Sequence, residues 1–182
     1  MGTDTIAPIG HLMGSHIAQF LPLALGAALL IIAALHDVAA RTIPNWTSLL
    51  LALLGVALRI ADDQVLTGLA IGAAVFAVSA FCWQRGWMGG GDVKLLAAAA
   101  IFVPPREVGN MLLAITLAGG LVGLFYLAGR TLLRRIAATP RPRPQRLLAR
   151  VVRAEHWRLL RGGPLPYASA IAVGTIFVIA VG

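Results

Sequence analysis

Apolar residues run along this chain in long unbroken stretches, without the two-residue alternation of a half-buried strand or the narrow stripe of a surface helix. Six stretches stand out between breakers: about Ile17 to Leu35, Trp46 to Ala61, Val65 to Gln84, Val93 to Val103, Val108 to Leu133 and Pro164 to Gly182. A helix needs roughly 20 apolar residues to cross a bilayer core, and several of these approach or exceed that length. The pattern predicts an all-α, polytopic integral membrane protein with about six transmembrane helices. The second stretch is short and carries Arg59, placed in its last turn to snorkel to the interface. The fourth is shorter still, squeezed between Lys94 and Pro104-Pro105. Either the glycines ahead of it complete a helix, or it is partly re-entrant, which requires other protein or water to cover its backbone.

Composition removes the soluble alternative. Of 182 residues 59% are hydrophobic and 12% charged, with a mean hydropathy of +0.85, far from the usage of soluble domains. The positive charges set an orientation, because Lys and Arg beside spans stay cytoplasmic. The first, third and fifth connections hold Arg41, then Arg85 and Lys94, then ten arginines from Arg130 to Arg161, against Arg59 and Arg106 on the other side. Both termini are therefore expected outside. The first nineteen residues have no Lys or Arg, so a cleavable signal peptide is not expected and the first stretch should stay as an anchor. The single Cys82 offers neither a disulfide framework nor a thiolate zinc site.

The Arg/Pro-rich connection, residues 137–163, begins with ATPRPRPQ, a composition that favours an extended linker. It continues as QRLLARVVRAEHWRLLRG, in which Arg146, Arg150, Arg153 and Arg161 share one helical face and Leu147, Leu148, Val151, Val152 and Leu159 another. This reads as one amphipathic cytoplasmic helix on anionic lipid headgroups. A net charge of +8 also permits nucleic-acid binding, but beside a span such a run serves topology and lipid contact, and no nucleic acid is expected as a partner.

The candidate chemistry sits at the same membrane boundary. Asp37 closes the first stretch in ALHDVAARTIPNWTS, and Asp92 opens the fourth in MGGGDVKLLAAAA. Two carboxylates at one depth are the minimum kit of an aspartic protease, one ionised to activate water and one protonated to donate to the scissile carbonyl. Within a few ångström of each other they share a proton and titrate as a unit. Either aspartate could instead cap a helix or pair with an arginine, and Asp62 and Asp63 read as structural loop residues. Gly89, Gly90 and Gly91 would allow unusual dihedrals and close approach of a substrate backbone. Lys94 would bias Asp92 toward ionisation, hold a lipid phosphate or simply snorkel. Asn45 is placed to cap the second span and Pro44 to keep the chain before it extended. Tyr167 is placed either to donate toward the site or to act as an interface aromatic. The histidines suggest no metal cluster: His11 and His16 lie outside, His156 stands alone, and His36 should face headgroups.

These segments carry a resemblance. MGGGDVKLLAAAA resembles the GxGD-x-K-L-x-A-A segment of type IV prepilin peptidases through Gly89, Gly91, Asp92, Lys94 and Leu95. HDVAARTIPNW resembles that family's other catalytic segment through Asp37, Ile43, Pro44 and Asn45. GGPLPYASAIAVG is similar to its ending through Pro166, Tyr167, Ala170, Ile171, Ala172 and Gly174. The resemblance covers nearly the whole chain, apart from the non-motif N-terminal segment 1–16 and the Arg/Pro-rich connection, and implies a single membrane-embedded peptidase domain.

It implies an aspartic endopeptidase that removes the short basic leader of prepilin or pseudopilin precursors at the cytoplasmic face of the bacterial inner membrane, with Asp37 and Asp92 as the catalytic pair. Larger members carry an additional domain with paired Cys-x-x-Cys motifs and N-methyltransferase activity. This chain looks like the short, peptidase-only form of tight-adherence (Flp-type) pilus systems, so no zinc, no S-adenosylmethionine and no other cofactor are expected. The rival readings are another GxGD intramembrane protease, or a proton-coupled transporter using Asp37 and Asp92. A transporter should place ionisable groups near the midplane with repeat symmetry, and neither is visible here.

Overall fold

The computed structural model describes residues 9–136 and 167–181, with side chains over 20–128 and 167–181. Among the described residues there are six α-helices and no strand: α1 (Ile9–Ala40), α2 (Asn45–Ala61), α3 (Val65–Gln84), α4 (Gly90–Phe102), α5 (Val108–Ile136) and α6 (Tyr167–Val181), with a short 3₁₀ turn at Pro105–Glu107. Three segments, Phe20–Ala40, Val65–Gln84 and Pro105–Ala128, are long and apolar enough to cross a membrane, while α2 and α6 are shorter apolar helices. The amphipathic helix expected within 137–163 lies outside the described residues.

Most helix ends fall within a few residues of the hydropathy breaks. The largest difference is the start of α1, eight residues before the expected Ile17. His11, Ser15 and His16 lower the local hydropathy without breaking a helix, so a reading based on apolarity stops too late. α1 ends where Arg41 adopts a left-handed conformation (φ 57°) and its N–H bonds back to the Asp37 carbonyl at 2.8 Å. This is a helix terminus of the αL type, usually built on glycine.

The centre of the bundle is α4. Every residue from Leu95 to Ala100 is buried, so the helix is covered on all sides, packed against α2 and α3 and, at one flank, α6. Thirteen residues of helix rise about 20 Å, short of the roughly 30 Å hydrocarbon core. Protein, not lipid, surrounds it, and the glycines preceding the apolar run do complete the helix, which starts at Gly90. α5 packs on α6, and α6 packs on α1. Large apolar side chains instead populate the outer surface, among them Leu66, Val78, Leu121 and Phe125, as expected where the solvent is acyl chain.

Close crossings depend on missing side chains. A Cβ on Gly55 of α2 would lie 2.7 Å from the backbone nitrogen of Phe102, and one on Gly174 of α6 would lie 2.6 Å from that of Ile115. Small residues allow such contact between helices whose association has no hydrophobic drive in lipid. Arg59 does not reach outward as expected. It is 3% exposed, pairs with Asp62 at 3.1 Å, and runs its stem over Gly68 of α3, where a Cβ would meet its Cγ at 2.7 Å. The nearby carboxylate gives the guanidinium a closer partner than the headgroups. Arg59, Leu23, Phe102, Arg106 and Val178 line a cavity of about 370 Å³ at this end of the bundle.

Because the Gly55 contact is with backbone, it cannot relax cheaply. Gly55→Ala should lower the unfolding free energy of the detergent-purified protein by about 1–3 kcal/mol, read as a lower thermal midpoint; an unchanged midpoint would show that α2 and α4 separate freely.

Candidate active site

At the end of the bundle opposite that cavity, the end of α1 and the starts of α2, α4 and α6 converge. Asp37, in the last turn of α1, is 7% exposed, and its Oδ2 accepts a hydrogen bond from the Ala168 N–H at 3.3 Å. Ala168 belongs to the first turn of α6, where backbone donors have no partner within their own helix. An apolar neighbourhood and an otherwise unsatisfied donor together bring this carboxylate and this helix end to one another.

Asp92 lies in the first turn of α4, outside the three helices long enough to span. Gly89 is the N-cap residue of α4, which makes Asp92 the third helical residue, and the carboxylate bonds back to the Gly89 backbone. That is the returning half of a capping box, available to a carboxylate three positions into a helix. Burial first, and the negative charge of Asp37 second, push the Asp92 carboxyl up from 3.8 to about 6, against the lowering effect of the Gly89 hydrogen bond. Asp37 and Asp92 thus feel each other electrostatically although 54 positions separate them. The structure brings them together.

Of the two uses expected for the three glycines, unusual dihedrals are not needed. Gly89 is in ordinary extended conformation (φ −73°, ψ 144°), and the positive-φ glycine of this region is Gly86. What these positions require is room. A Cβ on Gly89 would lie 2.8 Å from Asp92 Oδ2, one on Gly91 3.1 Å from Ile43 Cβ, and one on Gly90 3.3 Å from Trp83 Nε1. Gly91 therefore seats the Ile43-Pro44-Asn45 segment directly against the turn that carries Asp92.

A second link joins the same segments. Lys94 Nζ donates to Asn45 Oδ1 at 3.0 Å, so the lysine ties α4 to the start of α2. Asn45 is not the cap expected. Pro44, extended at φ −62° and ψ 132°, occupies the N-cap position without a side-chain bond, and Thr47 Oγ1 donates to its carbonyl oxygen at 2.7 Å. The amide of Asn45 is taken by Lys94 instead, because the first helical residue points toward the adjoining α4. The Tyr167 ring stands against α5, its hydroxyl 3.7 Å from where a Gly119 Cβ would be; its backbone neighbour, not its hydroxyl, reaches Asp37. His36 Nδ1 lies 2.7 Å from the Thr42 carbonyl oxygen and closes the α1–α2 turn.

Three contributors had no sequence signal of their own. Any non-proline residue has the N–H that Ala168 supplies. Trp83 beside Gly90 reads as one more interface aromatic. Arg41, whose guanidinium donates to Tyr126 Oη at 3.4 Å, reads as a topology charge. Among the described residues no three His, Cys, Asp or Glu side chains gather as a cation site.

The sequence profile of the type IV leader peptidase family matches residues 24–127, more than half of the chain and a stretch that contains both aspartates. The chain belongs to the type IV leader peptidase family. No curated protein and no solved structure matches it. Family membership makes the chain a leader-peptidase-like protease, a hydrolase of peptide bonds acting in general on prepilin precursors. Together with the three apolar helices it makes the chain a membrane protein. The Tyr167 and Ala168 contacts lie beyond the matched stretch, so the part of this leader peptidase that touches Asp37 from α6 is known from the packing alone.

The Lys94–Asn45 contact is testable as a pair. Lys94→Met and Asn45→Ala should each destabilise, and together should cost less than their sum, with a coupling of about 0.5–1 kcal/mol in a double-mutant cycle of unfolding in detergent; strictly additive effects would rule the contact out.

Proposed function

We propose that this leader peptidase is an aspartic endopeptidase of the short, peptidase-only form, in which Asp37 and Asp92 are the catalytic pair. The observation that carries this reading is the electrostatic interaction of two carboxylates from separate helices, one of them pushed up by burial and by its partner's charge. Such a pair holds one proton in common, so water can be activated by the ionised member while the protonated member donates to the scissile carbonyl. The substrate is the leader of an Flp-type prepilin, cleaved at the cytoplasmic face of the bacterial inner membrane. The arginine-rich connections put the aspartates at the cytoplasmic face, with both termini outside. Anionic headgroups are the partner of the Arg/Pro-rich connection. Without a Cys-x-x-Cys domain in this sequence, methylation of the mature pilin is assigned to another enzyme.

Peptide hydrolysis needs an extended substrate carbonyl within reach of both carboxylates, and a transmembrane helix hides its carbonyls in its own ladder. The start of α4, where Gly89 is exposed, is where an unwound substrate segment can approach Asp92. Lys94, Pro44, Asn45 and Gly91 support the pair by docking its two segments; Gly90 and Tyr167 shape its surroundings.

Mass spectrometry of an Flp-type prepilin co-expressed with the chain tests this directly. Wild type should trim the leader after its glycine, while Asp37→Asn and Asp92→Asn, at equal membrane abundance, should leave the precursor intact, with activity lower by at least about 10³-fold. Processing by either variant would remove that aspartate from the catalytic pair.

The pH dependence has a defined sign. Folding raises the Asp92 carboxyl from 3.8 to about 6, so its protonated form is held through this window and lost above it. A reaction that requires the pair's single proton should show kcat/KM falling on the alkaline side with a midpoint near 6. Native stability should decline over the same rise, since between 3.8 and about 6 the folded chain binds more protons than the unfolded one. A profile flat from pH 5 to 9 would exclude Asp92 as the proton donor.

A further inference from the structure

Asp37 is held from outside its own segment. The donor is the backbone N–H of Ala168, itself fully buried, in the first turn of a fifteen-residue helix whose position is set elsewhere. Two contacts fix that position. Gly174 lets α6 cross α5 so closely that a Cβ would meet the Ile115 backbone nitrogen at 2.6 Å, and the Tyr167 ring rests beside Gly119 one helical stretch away on α5. α6 also packs along α1, the helix that bears Asp37. The α6 N-terminus therefore has little freedom to move relative to either neighbour.

A carboxylate turns readily about its Cβ–Cγ bond, since that torsion is broad and roughly two-fold. In a two-carboxylate reaction this rotation moves the oxygen that must face water or the partner acid. An N–H on a rigid helix end restricts that freedom, and it costs α6 nothing, because that donor has no intrahelical partner. The Lys94–Asn45 and Gly91–Ile43 contacts hold the two motif segments together, but neither acts on the Asp37 carboxylate.

We propose that Ala168 is a positioning residue for the peptidase reaction: its backbone N–H, carried by α6, fixes the orientation of the Asp37 carboxylate toward Asp92 and the substrate. The assignment rests on the reading of Asp37 and Asp92 as the catalytic pair. It makes the first turn of α6 part of the reaction machinery through its backbone, and gives the alanine side chain no chemical role.

The test removes the N–H; the ester also leaves the Tyr167 carbonyl a weaker hydrogen-bond acceptor. In the full-length chain, Ala168 is replaced by its α-hydroxy analogue, lactate, so that the 167–168 amide becomes an ester. Ala168→Val, which keeps the N–H and adds bulk, serves as the packing control. Two quantities are read on protein in liposomes: kcat and KM on a leader-bearing precursor, and the carboxyl stretching band of Asp37, assigned by isotope-edited infrared difference against Asp37→Asn.

The ester should shift the Asp37 band and lower kcat about 10- to 100-fold with KM within about twofold, the scale of a misplaced reacting group. The thermal midpoint should fall by a few degrees at most, and Ala168→Val should keep the wild-type band. A kcat within twofold of wild type overturns the proposal whatever the band does, and so does an unmoved band. Cleavage by Asp37→Asn would instead sink the catalytic-pair reading, and the proposal with it. That failure is recognisable because it appears in a variant whose Ala168 is untouched.

Discussion

A helix of thirteen residues is too short to cross a bilayer by itself, and the architecture turns on how α4 escapes that limit. It is enclosed by α2, α3 and α6, so its backbone ends meet protein or the interface and not acyl chains. Enclosure demands small side chains, met by the alanine run from Ala97 to Ala100 and by the glycine crossings of its neighbours. It also places the first turn of α4, with Asp92, at the bottom of a ring of helix ends. A longer, lipid-facing α4 would carry this carboxylate out to the headgroups, where water would return it to its ordinary range.

Burial at that ring explains the electrostatics. Two carboxylates repel, and in water the repulsion would be weak. With Asp37 almost wholly covered and Asp92 partly so, their charges are felt through protein, and desolvation acts in the same direction on Asp92. Two backbone hydrogen bonds act against this cost, Gly89 to Asp92 and Ala168 to Asp37. Neither introduces a counter-charge. A lysine paired directly to Asp92 would favour its ionised form; Lys94, which lies closest in sequence, is engaged by Asn45.

Several local expectations changed once the neighbours were in place. The glycines before Asp92 are compatible in sequence with unusual dihedrals, yet the chain there is conventional and each glycine instead makes space for Asp92, Trp83 or Ile43. Asn45 is a good capping residue by type, but Pro44 holds the cap position. Arg59 has the place and length to snorkel, but Asp62 lies one turn on and takes it. In each case a partner from another helix, or a turn further along, selected the use the residue serves.

Hydropathy, a short-range property, determined the helices: an apolar run of sufficient length must be helical in lipid because its backbone has no other partner. Family and candidate aspartates were equally legible, since GGGD with its lysine and HD with its downstream IPN are contiguous patterns. What the sequence could not determine was which surfaces face protein. α4 reads as a weak span but is the core, and Ala168 reads as filler but donates to Asp37. Those outcomes depend on contacts between residues as far apart as Asp37 and Ala168, and on a backbone group that every residue but proline possesses, so only the packed arrangement of the helices decides them.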